Sequence, residues 1–171
     1  VYSILGNHDY LTYAYYLSPE EQAAQREELK KRQRAMNWDL LLNEHRIIRQ
    51  GRDSIALVGV ENDGKPPFPE RGDLKKALAG IPGYGQGHDP THWRRKVLPQ
   101  TDIQLTLSGH THGMQFMLFG WSPSKFFYPE WKYMYREGER GLYVSLGIGG
   151  ALIPFRFGAW PEINVITLHN K

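Results

Sequence analysis

The sequence predicts a layered α/β domain. Three observations carry this expectation: short apolar runs of strand length, a strongly capped helix near the start, and glycine-containing turns where the apolar runs stop. With 171 residues, 40% of them hydrophobic and 23% charged, the chain is large enough and apolar enough for a core of its own.

Val1 to Leu5 reads as a buried strand that turns at Gly6-Asn7. The chain opens inside this apolar run without a methionine, so the expectation is a segment of a larger protein, entered just before a strand. Ser18-Pro19-Glu20-Glu21 is a helix start: an N-cap serine, proline at the first helical position and acids in the first turn. That helix should reach about Met36, its charged positions forming a solvated face. Leu40 to Leu42 and His45 to Ile48 read as short extended pieces, and Ser54 to Val60 as the clearest buried strand. Asp73 to Ala79 should be a short helix stopped by Gly80. Ile103 to Leu107 reads as another strand, Gln115 to Phe119 as a partner for a strand near Leu142 to Leu146, and Ile163 to Leu168 as the last strand.

Composition excludes several kinds of function. There is no cysteine, hence no disulfide, no thiolate metal site and no cysteine nucleophile; the redox compartment stays open. A net charge of +3 suits a phosphate-bearing substrate, but no Lys/Arg block makes a nucleic-acid stripe, so no specific nucleic-acid partner is expected. No apolar run approaches the roughly 20 residues that span a bilayer.

The chemistry gathers in three clusters, each a turn beside a glycine: Gly6-Asn7-His8-Asp9, Gly87-His88-Asp89-Pro90 and Gly109-His110-Thr111-His112-Gly113. They hold four of the seven histidines. Strand ends are where α/β proteins place their sites, and glycine lets the backbone come close to an ion or phosphate. Imidazole and oxygen donors without thiolate suit Mn, Fe, Zn, Ni or Co. Either pattern alone has an ordinary explanation, since Asn and Asp populate turns and a single His-X-His arises by coincidence; their joint occurrence in this order does not.

Gly-Asn-His-Asp, a histidine in a His-Asp-Pro turn, then Gly-His-Thr-His-Gly resembles the motif order of the calcineurin-like metallophosphoesterases. Ser108 to Gln115 and Phe155 to Ile163 resemble a bacterial branch often preceded by membrane helices. The resemblance implies that the chain is the C-terminal half of a four-layer αββα sandwich in a phosphomonoesterase or phosphodiesterase with two divalent transition metal ions. It further implies that Asn7, His88 and His110 are ligands of the second metal and His112 a ligand of the first. His8 would stand beside the phosphate, stabilising charge or protonating the leaving oxygen, and Asp9 and Asp89 would hold loops and orient ligands from behind. The implied setting is a bacterial protein, membrane-associated through a preceding region, on a side the sequence does not give.

Departures from the family pattern carry expectations too. The Asp-X-His and Gly-Asp motifs that should precede the first strand are absent from residues 1–171, and Asp53, Asp63 and Asp73 do not replace them. The isolated chain should therefore bind one metal weakly or none, and be catalytically poor. Pro82 to Gly87 is too glycine-rich for the apolar strand expected before His88, and Leu146 stands where relatives carry a polar or basic residue. His45 and His169 read as surface or structural, and His92 as either packing or ligand support. Trp121 to Tyr135, dense in aromatic residues, reads as a long packed loop or as a lip over the active site that touches a lipid-like substrate or the membrane surface. Exposed apolar edges would favour self-association of the chain. The rival readings are a catalytically incomplete binding module and a peripheral membrane module.

Overall fold

The computed structural model describes residues 1–81, 84–151 and 153–169, with residues 84–86 described by backbone alone. Among the described residues, eight strands form two sheets. The small sheet pairs β1 (Tyr2–Ser3) in parallel with β2 (Asp39–Leu40). The large, six-stranded sheet has the order β3-β4-β5-β6-β8-β7. It comprises β3 (Glu44–Gln50), β4 (Asp53–Val60), β5 (Tyr84–Gly87), β6 (Leu105–Ser108), β7 (Tyr133–Glu137) and β8 (Arg140–Val144). Its four central strands β4, β5, β6 and β8 run parallel, with β3 and β7 as antiparallel edges.

Side-chain alternation along β4 separates the layers. Val58 and Val60 face one way, into a core with Leu74, Ala77, Trp93, Val97, Ile103, Leu142 and Val144. This core is closed by α2 (Leu74–Ala77) and the helical turn Trp93–Val97. Gly59 faces the other way, against the small sheet. A Cβ there would fall 2.3 Å from Leu41 Cβ and 3.1 Å from Ile4 Cγ2, so glycine is what lets the two sheets approach. Beyond the small sheet lies α1 (Pro19–Ala35): Leu29 packs on the buried group Leu5, Tyr10 and Leu40, and Ser3 Oγ donates to Gln33 Oε1 at 2.6 Å. The order is helix, sheet, sheet, helix. The α1 start is the expected capping box, with Ser18 Oγ accepting from Glu21 N and Glu21 Oε2 accepting from Ser18 N.

Several expectations are corrected. A strand does precede His88: β5 forms despite its glycines because both its edges are paired, Val58 with Gly85 on one side and Gly85 with Thr106 on the other. Pro82 and Gly83 lie outside the described residues. The segment from Gln115 does not pair with β8, whose edges are taken by β6 and β7. It pairs instead with Phe157: Met117 N donates to Phe157 O at 2.7 Å and Phe157 N to Gln115 O at 2.8 Å. The register requires Gly158 (φ +69), where a Cβ would overlap Met117 O. Ile163 to Leu168 forms no strand; Glu162 and Asn164 tie it by side chains to Leu146 N (2.8 Å) and Tyr143 Oη (2.5 Å), leaving Ile163 and Val165 in solvent. The aromatic segment is not one long loop, since β7 begins inside it at Tyr133.

Candidate metal centre

The site lies where β1, β5 and β6 end. Asn7 begins a 3-10 turn, Asn7–Tyr10, after β1; His88 follows β5; His110 follows Gly109 at the end of β6. Three donor atoms meet there. Asn7 Oδ1 is 2.9 Å from His88 Nε2 and 3.1 Å from His110 Nδ1, and the two ring nitrogens are 3.3 Å apart. Ligands about 2.1 Å from one ion are separated by about 3.0 Å at octahedral and about 3.4 Å at tetrahedral angles, so this triangle has the dimensions of one face of a coordination shell.

Electrostatics favours the ligand form. Burial pushes the His88 pKa down to about 3, helped by the neighbouring His110, and that of His110 down to about 4, helped by His112 and His8. Both imidazoles are therefore neutral at physiological pH, with lone pairs available. The donor set thus fits a divalent ion: neutral imidazoles and an amide oxygen converge on one point. Among the described residues no group of three or more His, Cys, Asp or Glu is arranged to hold a metal ion; the third donor of the triangle is the Asn7 amide oxygen.

The other site residues surround this triangle. His112 lines the same cavity without touching the triad; its Nδ1 lies 3.2 Å from Leu146 O, and burial lowers its pKa. His8 is exposed at the cavity mouth, its ring 5.0 Å from Tyr13. Asp9 accepts from Gly6 N at 2.7 Å and so closes its own turn; burial raises its pKa. Asp89 is buried, accepting from Thr91 N at 2.8 Å and Thr91 Oγ1 at 2.7 Å, and stands 3.8 Å from His110 Nε2. The histidine-bearing turn is strained, with His110, His112, Met114 and Gln115 all at positive φ. Non-glycine residues held there cost of order 1–3 kcal/mol each and concentrate at functional sites.

The cavity measures about 740 Å³, and much of its wall is apolar or aromatic: Ile4, Tyr13, Phe68, Met114, Tyr128 and Ile153. Sequence reasoning missed Tyr13 and Phe68 as wall residues, because no local pattern links them to the glycine turns; Tyr128 belongs to the aromatic segment that reads from sequence as a packed loop or a lip. Leu146 is buried and offers the site only its carbonyl, which also accepts from Arg156 at 2.9 Å. Asp63 is buried near the end of β4, but Lys96 (2.9 Å) and Arg95 (3.1 Å) hold it, so it is not a spare ligand. His92 is buried 3.6 Å from the same carboxylate, and His45 contacts Ala77 O at 3.0 Å.

Relatives carry the same chemistry in their names. Across 42% of the chain, 41% of positions are identical to the uncharacterized metallophosphoesterase YkuE of Bacillus subtilis. Across 98% of the chain, 32% are identical to a transmembrane protein with metallophosphoesterase domain of Danio rerio, and 29% to that of Bos taurus. These relatives support a place in the metallophosphoesterase superfamily. The chain spans 27% of the first relative and 38% of each of the others. No family model and no solved structure matches it significantly. The relatives come from a bacterium and two vertebrates, so they do not single out a bacterial branch. Their names suggest phosphoester hydrolysis and, in general, use of divalent metal.

Proposed function

We propose that the protein is a metal-dependent phosphoester hydrolase with a dinuclear centre. Asn7, His88 and His110 hold one ion and His112 belongs to its neighbour. The supporting observation is the triangle of donor atoms 2.9, 3.1 and 3.3 Å apart at three strand ends. The bound ions would supply Lewis acidity toward the phosphoryl oxygens and water acidified toward neutral pKa. A dinuclear centre would need carboxylate ligands beyond these four residues, of the kind the family's Asp-X-His and Gly-Asp motifs provide.

This chain's residues do the rest. His8, exposed at the cavity beside Tyr13, donates a proton to the leaving oxygen, a contribution of about 10²–10⁴-fold. Asp9 and Asp89 keep the two ligand turns closed through Gly6 N and Thr91. The apolar wall admits an ester with a nonpolar organic group and excludes water from it. Association with a membrane surface is part of the proposal. It is supported by the individually exposed Phe119, Phe126 and Phe127, with exposed Lys125 next to the latter two in sequence, and by the word transmembrane in two relatives' names. Among the described residues no helix is long and apolar enough to cross a membrane.

The test is hydrolysis of a chromogenic phosphoester by the natural full-length protein with Mn present. Turnover should vanish on chelation. His112→Ala should lose metal and rate together, whereas His8→Ala should lose rate while retaining metal. A binding module that holds metal without catalysis is the second reading, favoured by the neutral character of the triangle's three donors, two imidazoles and an amide. It predicts metal uptake without turnover.

A further inference from the structure

The aromatic segment after the histidine turn does more than wall the cavity. We propose that Tyr128 is a positioning residue that holds His110 in the tautomer with its proton on Nε2, leaving Nδ1 free for an ion; this rests on the metal-centre reading above.

The geometry assigns the two ring nitrogens opposite tasks. Nδ1 of His110 faces the donor triangle, 3.1 Å from Asn7 Oδ1 and 3.3 Å from His88 Nε2. Nε2 faces away, and its partner is Tyr128 Oη at 2.8 Å. A neutral imidazole carries one proton, and the tautomer is set by the partner of the other nitrogen. The two partners here compete. Asn7 Oδ1 accepts a proton placed on Nδ1, which blocks the ligating lone pair. Tyr128 Oη can donate to Nε2 or accept a proton placed there, and the accepting arrangement is the one that frees Nδ1. Asp89, the carboxylate that sequence reasoning set behind the ligands, is 3.8 Å from Nε2, beyond hydrogen-bond reach. Its Oδ1 is already taken by Thr91 N and Thr91 Oγ1. The phenol therefore stands where many metal sites place a carboxylate or carbonyl.

Tyr128 is held firmly enough for this role. Its N donates to Ser124 O at 2.9 Å, at the end of the 3-10 turn Pro123–Phe126. The segment around it is tied to the histidine turn from both sides: Ser122 Oγ donates to Gly113 O at 2.6 Å, and Thr111 Oγ1 donates to Trp131 O at 2.7 Å. Residues 122 and 131 thus bracket Tyr128 and anchor on the neighbours of His110 and His112. The Tyr128 ring also meets the His110 ring edge-on, with centroids 5.4 Å apart, so Tyr128→Phe keeps the packing and removes only the hydroxyl.

The experiment uses the natural full-length protein, ¹⁵N-labelled at histidine, and its Tyr128→Phe variant. Long-range ¹⁵N–¹H correlation without metal reads the tautomer of His110, and calorimetric titration with Zn²⁺ alone reads affinity. The wild type should carry the His110 proton on Nε2, and Tyr128→Phe should move it toward Nδ1. Zn²⁺ affinity should fall about 10–100-fold, the usual effect of removing a ligand's supporting partner, while the metal-free melting temperature stays close to wild type. An Nδ1–H tautomer in the wild type overturns the proposal whether or not the variant folds. So does a variant with unchanged tautomer and affinity. If neither protein binds Zn²⁺ but the tautomer shifts as described, the positioning role stands and the metal-centre reading falls.

Discussion

Gly6→Ala tests the site through sterics alone. Gly6 has extended backbone (φ −94°, ψ 178°) that alanine adopts without strain, so the fold should tolerate the change. Its added Cβ would nevertheless lie 2.8, 2.9 and 3.0 Å from Cε1, Nε2 and Nδ1 of His88. Ordinary contact begins at about 3.5 Å, so the imidazole must retreat by about 0.5 Å or more. His88 Nε2 is one corner of the donor triangle, and metal–ligand distances tolerate only about 0.2 Å. The expected loss is about 10–100-fold in affinity, or about 1.4–2.7 kcal/mol. Calorimetric titration of the natural full-length protein with Mn or Zn measures it, with a metal-free thermal melt as control. Wild-type affinity in Gly6→Ala, with the fold intact, would refute the claim that His88 is held against Gly6 as a ligand.

Other outcomes follow from the same contacts. His8→Ala should lower turnover by about 10²–10⁴-fold, and the defect should shrink for leaving groups of low pKa, which hardly need protonation; steady-state rates across a series of aryl phosphates check this. Leu142→Ala, at a fully buried position in the core under β8, should cost about 2–5 kcal/mol in urea unfolding. Burial lowers the His92 pKa, so the unfolded chain binds a proton near pH 6.5 that the folded chain refuses; stability should fall as pH drops below about 6.5, read as a falling melting temperature. Phe119 is 100% exposed, so Phe119→Ser should leave stability within about 0.5 kcal/mol while reducing sedimentation with anionic liposomes.

Much of this was legible because the informative signals are local. Ser18 and Glu21 cap a helix through atoms three residues apart, and the glycines flanking Asn7, His88 and His110 mark turns wherever the strands come to lie. The misses are non-local. Gly85 belongs to a strand only because β4 and β6 bracket it. Gln115 to Met117 found Phe157 because β8 was already paired on both edges, and Ile163 to Leu168 had strand composition without a ladder to join. Tyr128 and Phe68 reach His110 through tertiary folding, with ring centroids 5.4 and 4.8 Å away, and no spacing in the sequence announces that.

The central claim is that Asn7, His88 and His110 share one ion. Anomalous diffraction from crystals of the natural full-length protein grown with Mn or Zn tests it most directly. The account predicts a peak about 2.0–2.2 Å from Asn7 Oδ1, His88 Nε2 and His110 Nδ1 together. A metal-loaded crystal whose peaks lie elsewhere, with those three atoms still hydrogen-bonded to one another, would contradict it.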